Sequence, residues 1–467
     1  MESSQAQGVG RYELLEGLEA IEVAVDGLRH PRSMLFGGRI GGRCLSPWSG
    51  VTDVAIGPLG LRLGTRNGVF FLRRRFFRDR RGPEALADEI LARVAAAPGG
   101  EAQLAHMAEL ERRARRAPPL RASRGAALAC LVAFAFQIVW APYVDLAGVF
   151  SATLVSLGEL WRLATANLLH AGLFHLFMNT LGLAVIGGLA ERSLGSAATL
   201  FVMGVSAAGA MLGSWAADYP WALGASGVVA GLAGALLWVE LRHPETVPAA
   251  WRLPRRIFVA ALAVESLLLL LLPAIAHAAH LGGFAGGAAA AAVAGAATRS
   301  PGRRRGLVLA DAALGALLLA SVAQAATLAA TRDPLLVERR AEALLAADRI
   351  PAMVFNNEAW LIAISEDPDP RELEAARALA ERAVAETGRQ DPNVLDTLAE
   401  VHFASGRIED ALDVIDEAIA LAPGERYFRE QRRRYTGERA ADDRPDPPPW
   451  ESEPGPEPEL PEPGIRV

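Results

Sequence analysis

Seven apolar stretches between residues 126 and 330 limit what this chain can fold into more than any other feature. A helix needs about 20 apolar residues to cross the hydrocarbon core of a bilayer, and each stretch approaches that length. Because a bilayer offers no hydrogen-bond partners to bare backbone, such stretches must form helices. The sequence therefore predicts a polytopic α-helical membrane bundle. The predicted spans are Ala126–Val144, Ala171–Ala190, Ala197–Trp215, Trp221–Val239, Ile257–Leu272, Ala274–Ala297 and Leu307–Ala330.

Composition and charge indicate a multi-domain protein with soluble parts around this bundle. The chain has 467 residues, and 51% of them are hydrophobic, which is too apolar for a purely soluble protein and too polar for spans alone. Arginines cluster before the first span and after the fourth and sixth, and Arg192 follows the second. The positive-inside rule then places the N-terminus in the cytoplasm, and seven spans leave the C-terminus outside. We expect an integral, multi-pass protein of a bacterial inner membrane.

The sequence pattern of residues 1–115 predicts a small, soluble, β-rich α+β domain. Short alternating runs separated by glycine, proline and asparagine predict strands, and a run that begins with proline predicts one closing helix. The predicted elements are Ala20–Val25, Thr52–Ile56, Leu59–Leu63 and Val69–Leu72 for the strands, and Pro83–Ala97 for the helix. Their order resembles a bacterial pleckstrin-homology-like domain.

Residues 335–435 predict a region of α-helical repeats. Small and apolar residues recur in two stretches, with offsets that resemble tetratricopeptide repeats. Such a region is expected to bind a protein or peptide partner. The residues in this frame are Trp360, Ala376, Ala380 and Ala383 in the first stretch, and Leu395, Leu398, Ala399, Ala411, Ile415 and Ala418 in the second. Proline and acidic residues dominate residues 441–467, so we expect a disordered tail there.

Ser226 and His280 are the polar residues that most strongly indicate a function. Polar groups at membrane depth are costly, and ionisable residues there are usually functional. Both residues lie near the start of a predicted span, and both spans run from outside to inside, so the two side chains share a depth. A serine beside a histidine suggests a nucleophile and its general base. Taken alone, each residue could instead be a packing residue or a contact between helices.

Small residues would let the two helices that carry this pair approach closely. Gly227, Gly231 and Gly234 lie on the fourth span, and Gly283 and Gly287 lie on the sixth. Glycine faces of this kind allow backbone-to-backbone contact between helices in membranes. We expect this packing to bring the serine and the histidine within hydrogen-bond reach.

Other polar residues lie at membrane depth as well. His175 and Asn179 are four residues apart and therefore share one helix face. Glu265 lies in the middle of the fifth span, where a buried pair is a better interpretation than a gating role. Asp311 lies near the start of the seventh span, within reach of the interface.

The polar set as a whole resembles the rhomboid family of intramembrane serine proteases. The resemblance covers roughly residues 125–298 and implies a six-helix core, with residues 306–330 as an additional membrane helix. The segments that carry it are Trp161 and Arg162, residues 167–179, Glu191 and Arg192, Gly195, residues 224–227, and residues 278–283.

The resemblance implies a role for each matching position. Ser226 would be the nucleophile and His280 the general base, forming a dyad without a carboxylate. Two side chains and the backbone N–H of the serine would form the oxyanion hole, and two more residues would support it. These four residues are His175 and Asn179 in the hole, with His170 and Gly224 in support. No cofactor is implied.

The function that this resemblance implies is cleavage of transmembrane segments of other proteins near the outer face of the bilayer. A catalytically inactive relative that binds transmembrane helices is one alternative, and a transporter is another, although the chain lacks the internal symmetry typical of transporters. A zinc site formed by His170, His175, His277 and His280 is disfavoured, because no acidic or thiol partner lies nearby in the sequence. We expect neither a metal nor a nucleic-acid partner.

Overall fold

A computed structural model of the chain divides into two compact units, residues 1–331 and residues 332–467. It describes residues 10–15, 20–31, 43–116, 118–140, 143–156, 158–219, 221–271, 276–297, 301–331, 334–346, 350–365 and 367–445. Residues 446–467, most of the predicted disordered tail, lie outside the described residues.

The first unit begins with two small antiparallel sheets, in which consecutive strands pair. One sheet has the order β1-β2-β3-β4, and the other has the order β5-β6-β7. Leu28, Leu61 and Leu63 are fully buried in the core beneath them, because alternate residues of a strand face the same side. The strands are β1 (Gly10–Tyr12), β2 (Ile21–Val23), β3 (Gly27–Pro31), β4 (Arg43–Pro47), β5 (Val51–Gly57), β6 (Gly60–Thr65) and β7 (Gly68–Arg73).

The N-terminal region has more elements than the sequence predicted. β1, β3 and β4 were not anticipated, and two helices follow the sheets in place of one. The helices are α1 (Gly82–Ala96) and α2 (Gly100–Arg115). They are separated because Pro98 cannot continue a helix and Gly99 adopts φ +75°, a left-handed conformation. The likeness to a pleckstrin-homology domain stays a prediction.

The remainder of the first unit is helical. The helices are α3 (Arg121–Val139), α4 (Tyr143–Gly148), α5 (Ala152–Ser156), α6 (Arg162–Thr165), α7 (Leu173–Gly182), α8 (Gly188–Leu194), α9 (Ser196–Ala216), α10 (Ser226–Arg242), α11 (Arg255–Leu271), α12 (His277–Ala297) and α13 (Pro301–Thr331). One π-helical turn, Leu183–Gly187, joins α7 to α8 without a break.

Five helices among the described residues are long and apolar enough to cross a membrane. They are Arg121–Val139, Leu173–Leu194, Ser196–Ala216, His277–Gly295 and Arg305–Thr331. The fourth and fifth predicted spans correspond to α10 and α11, which have 17 residues each and so are about 26 Å long. The chain therefore contains a multi-pass helical membrane region, and the number of seven spans stays a prediction.

α10 begins later than its apolar stretch. The sequence predicted a span from Trp221, but the helix starts at Ser226. Shortly before it, Ala222 forms an isolated antiparallel bridge with Phe150. Gly224 has φ +113°, a value that residues other than glycine rarely adopt. This turn is what brings Ser226 to the first position of the helix.

α12 packs between α9 and α10, and backbone lies against backbone at both contacts. A Cβ atom added at Gly283 would lie only 2.1 Å from the carbonyl oxygen of Gly227, and one at Gly287 only 2.0 Å from that of Gly231. This confirms the glycine contact predicted between the fourth and sixth spans. The opposite side of α12 makes an equally close contact that the sequence did not predict, since a Cβ at Gly282 would lie 2.2 Å from the carbonyl oxygen of Gly209.

Two buried carboxylates fix the helix ends far from Ser226. Glu191 in α8 accepts hydrogen bonds from the backbone N–H groups of Ala122 and Ser123 at 2.8 and 2.9 Å, and so caps the start of α3. Glu240 near the end of α10 pairs with Arg252 at 2.6 Å, and the same guanidinium donates to the carbonyl oxygen of Thr65 in β6 at 2.8 Å. The helix that begins with Ser226 is therefore tied at its far end to the N-terminal sheet.

The second unit contains six described helices. They are α14 (Pro334–Ala346), α15 (Ala352–Ala363), α16 (Pro370–Glu386), α17 (Pro392–Ala404), α18 (Ile408–Leu421) and α19 (Arg426–Tyr435). Ala376, Ala380, Ala399 and Ala418, all in the predicted repeat frame, are fully buried. Small residues here allow neighbouring helices to pack closely, and the assignment to tetratricopeptide repeats stays a prediction.

The contact between α10 and α12 predicts a sharp difference between two glycine substitutions. Gly283→Ala should destabilise the protein by about 1–3 kcal/mol, because its methyl group would overlap a backbone carbonyl. Gly315→Ala in α13 is the matched control, since nothing lies within 4 Å of its added methyl group. Thermal unfolding of the purified proteins in detergent measures the difference. Equal melting temperatures for the two variants would show that the helices are not in close contact.

Candidate active site

Ser226 and His280 lie in contact across the interface between α10 and α12. The serine Oγ is 2.8 Å from Nε2 of His280, and both side chains are partly buried. Each residue lies in the first two turns of its helix, at the same end of the packed pair. The geometry therefore allows the hydroxyl to donate a hydrogen bond to the imidazole.

Glu265 contacts the other nitrogen of this imidazole. Its Oε1 lies 2.7 Å from Nδ1 of His280 and 2.8 Å from Nδ1 of His277. The buried-pair interpretation of Glu265 is consistent with these contacts. The expectation that no carboxylate would lie beside the histidine is wrong, as is the expectation that no acidic group would lie near His277. The helix rotation that turns Glu265 toward α12 is not encoded in the hydropathy pattern.

The carboxylate fixes how a neutral His280 presents its two nitrogens. If Nδ1 carries the proton and donates it to Glu265, the lone pair of Nε2 faces the hydroxyl of Ser226. This is the arrangement that a general base requires. Serine, histidine and carboxylate thus form a continuous hydrogen-bonded chain across three helices, α10, α12 and α11.

His175 and Asn179 lie beside the turn that precedes Ser226. A Cβ atom at Gly224 would come within 2.7 Å of His175 Nε2 and 3.6 Å of Asn179 Nδ2. The backbone N–H of Ala171 donates to His175 Nδ1 at 3.3 Å, so a neutral His175 carries its proton on Nε2. Asn179 donates one N–H to the carbonyl oxygen of His175 at 2.9 Å, which leaves its second N–H available. Two donors therefore converge near the serine.

His170 lies behind His175, and their ring centroids are 5.2 Å apart. Its backbone N–H donates to Oε1 of Gln137 in α3 at 2.9 Å, and its Nδ1 lies 3.1 Å from the carbonyl oxygen of Leu168. Burial, reinforced by the neighbouring His175, lowers the pKa of His170 to about 4. The ring is therefore neutral at physiological pH and contacts His175 without adding charge.

A buried arginine holds the loop that faces the Gly224 turn. Arg162 is fully buried, donates to Glu159 at 2.6 Å and donates to two backbone carbonyls at 2.7 Å. The loop fixed in this way presents the carbonyl oxygen of Ala166, which accepts the N–H of Gly224 at 2.9 Å. The Trp161-Arg162 segment thus supports the backbone just before the serine.

Comparisons with known proteins agree with this geometry. Residues 157–297 match the rhomboid domain. The chain is 40% identical over 92 residues to "Rhomboid protease GluP" of Bacillus subtilis, which is 20% of this chain and 18% of that protein. It is 31% identical over 174 residues to "RHOMBOID-like protein 1" of Arabidopsis thaliana, covering 33% and 43% of the two chains. It is 38% identical over 96 residues to "Putative rhomboid protease YdcA" of Bacillus subtilis, covering 20% and 48%.

These matches support the rhomboid family for the membrane core. Each alignment spans less than half the length of the relative that it matches. The matched region includes the proposed site residues from His170 to His280, whereas Gln137, which contacts His170, lies before it.

The hydrogen-bonded chain predicts that Ser226 is chemically reactive. A fluorophosphonate probe should label the purified protein, and Ser226→Ala or His280→Ala should abolish labelling because each removes the nucleophile or its base. Glu265→Gln should slow labelling, since a neutral amide cannot stabilise the imidazolium. Glu245→Gln, a change beyond the far end of α10, is the control and should label normally. Equal rates for Glu265→Gln and Glu245→Gln would exclude a role for Glu265.

Proposed function

We propose that this protein is an intramembrane serine endopeptidase. The observation that carries the proposal is the 2.8 Å contact between Ser226 Oγ and His280 Nε2, made between two apolar helices of a rhomboid domain. An alcohol held against a base inside a largely apolar bundle suits nucleophilic attack on an amide carbonyl. The names of two relatives as rhomboid proteases agree with this activity.

In the proposed reaction, Ser226 Oγ attacks the carbonyl carbon of the scissile peptide bond. His280 Nε2 takes the hydroxyl proton as the new C–O bond forms, and it returns that proton to the leaving amine when the C–N bond breaks. Water then attacks the acyl-enzyme, again with His280 as base, and releases the second product. The partial exposure of both side chains is compatible with the entry of that water.

His175, Asn179 and the backbone N–H of Ser226 are proposed to stabilise the oxyanion. The proton on His175 Nε2 and the free N–H of Asn179 support this role, because both donors lie beside Gly224 and the start of α10. The serine N–H lies in the first turn of a helix, where N–H groups have no partner within the helix. Donors in such a water-poor site are each worth about 10²–10³ in rate. His170 is proposed to hold the His175 ring in place.

Glu265 is proposed as a positioning residue. Its contact with His280 Nδ1 would keep the imidazole in the tautomer that accepts the serine proton, and its charge would stabilise the imidazolium that forms. The proposed machinery is therefore a serine–histidine pair oriented by a carboxylate on α11, in place of the pair alone that the resemblance implied.

The proposed substrates are transmembrane segments of other proteins, cut near the outer face of the bilayer. A peptide bond inside a helix is shielded and already hydrogen-bonded, so a substrate must unwind locally, and helix-weakening residues would favour this. The proposed domains are a soluble region at 1–115, the protease core at 125–298, an additional helix at 306–330 and helical repeats at 335–435. The repeats would recruit a protein or peptide partner.

Cleavage of a model transmembrane substrate by protein reconstituted in liposomes tests the proposal. Ser226→Ala should lower the rate by at least about 10³-fold, and Asn179→Ala by about 10²–10³. Ser266→Ala is the matched control, because this exposed hydroxyl donates to the carbonyl oxygen of Leu262 in its own helix. Equal cleavage by wild type and Ser226→Ala would mean that the protein is not a serine protease. Absence of cleavage by either protein, with intact folding, would favour an inactive binder of transmembrane helices.

The proposed orientation places the N-terminus in the cytoplasm and the C-terminal repeats outside. The arginine-rich segments between spans support it, through the positive-inside rule. A C-terminal tag on the full chain should be digested by protease added to intact spheroplasts, whereas an N-terminal tag should survive until the membrane is permeabilised. A protected C-terminal tag would show that the repeats face the cytoplasm and that the number of spans is even.

A further inference from the structure

The carboxylate of Glu265 joins two histidines, only one of which contacts the proposed nucleophile. Ligand atoms of Glu265, His277 and His280 all lie within 4.8 Å of one another. His277 and His280 are three residues apart in the first turn of α12, so both rings project from one side of the helix. The role proposed for His280 leaves the second imidazole unexplained.

We propose that Glu265, His277 and His280 form an inhibitory site for a divalent transition-metal ion such as Zn²⁺. Two imidazoles and one carboxylate, with a fourth position left to water, are a ligand set that zinc commonly takes in proteins. The binding site does not depend on the protease assignment, but the inhibition rests on the function proposed above.

The two distances from the carboxylate to the imidazoles suit an ion after a small adjustment. Zinc bonds to nitrogen and oxygen are about 2.0–2.2 Å long, which sets neighbouring ligand atoms of a tetrahedral site about 3.3 Å apart. Glu265 Oε1 now lies 2.8 and 2.7 Å from the two Nδ1 atoms, so an outward movement of about half an ångström would admit the ion. The Glu265 side chain is 34% exposed, so protein does not enclose the carboxylate completely.

Metal binding at His280 Nδ1 would remove the general base by changing the tautomer. The ion takes the lone pair of Nδ1, and the imidazole proton moves to Nε2, so the ring stays neutral. Nε2 then donates a hydrogen bond to Ser226 Oγ at the contact that is now 2.8 Å and cannot accept the hydroxyl proton. No electrons are transferred, and removing the ion restores the Nδ1–H contact with Glu265. The site is therefore a reversible switch.

The binding arm of the experiment uses the full chain, purified in detergent and stripped with a chelator. Wild type should bind one Zn²⁺ in isothermal titration calorimetry, and Mg²⁺ should produce no binding, because nitrogen ligands do not suit that ion. His277→Ala and His277→Asn should each weaken Zn²⁺ binding by at least about tenfold. His106→Ala, which removes an exposed histidine of α2, should leave binding unchanged. Ser226→Ala should also bind normally, because the serine is not a ligand.

The inhibition arm measures the rates of fluorophosphonate labelling and of substrate cleavage. Saturating Zn²⁺ should slow both in wild type by at least about tenfold, which corresponds to 1.4 kcal/mol, and a chelator should restore them. His277→Ala should keep metal-free activity close to that of wild type and resist Zn²⁺, and this activity also shows that the variant is folded. Absence of stoichiometric Zn²⁺ binding by wild type would overturn the proposal, as would equal binding or equal inhibition in His277→Ala.

The two proposals fail in different ways. If the protease assignment is wrong, wild type and Ser226→Ala will behave alike toward the substrate, yet Zn²⁺ binding will still depend on His277. If the metal site is wrong, cleavage will still depend on Ser226, and Zn²⁺ will not distinguish wild type from His277→Ala.

Discussion

The backbone contact between α10 and α12 is the constraint on which the rest of the structure depends. Gly283 and Gly287 lie so close to the carbonyls of Gly227 and Gly231 that no side chain fits between them. In a membrane, where lipid tails are as apolar as leucine, such close packing is itself a main source of helix association. It sets both the separation and the relative depth of the two helices, and so it brings Ser226 and His280 together at the same end of the pair.

Helix packing brings Ser226 and His280 within reach of each other, and polar contacts then orient the imidazole. Glu265 on α11 fixes the nitrogens of His280, while the buried Arg162 fixes the loop whose backbone holds the Gly224 turn. A buried polar network is stable only when its members are satisfied. The shared carboxylate makes this network sensitive to anything that competes for Nδ1, which is why the same residues could serve as a proton-positioning group and as a metal site.

Sequence patterns predicted features that depend on local composition. Examples are the apolar stretches, the glycine faces and the four-residue spacing of His175 and Asn179. The 3.6-residue period of a helix decides which residues share a face, so these features can be read from the sequence. Features that depend on tertiary geometry were missed. The contact between Glu265 and His280 requires a particular rotation of α11, the start of α10 at Ser226 depends on an extended bridge at Ala222, and strands of three residues such as β1 are too short to show a period.

A side-chain-resolution structure of the protein in lipid nanodiscs would show directly whether α10 and α12 bring Ser226 and His280 together. We expect His280 Nε2 within about 3 Å of Ser226 Oγ, and the backbones of Gly283 and Gly227 in direct contact. Helices α10 and α12 separated by intervening side chains or lipid, or the serine and histidine pointing to different sides of the bundle, would contradict it.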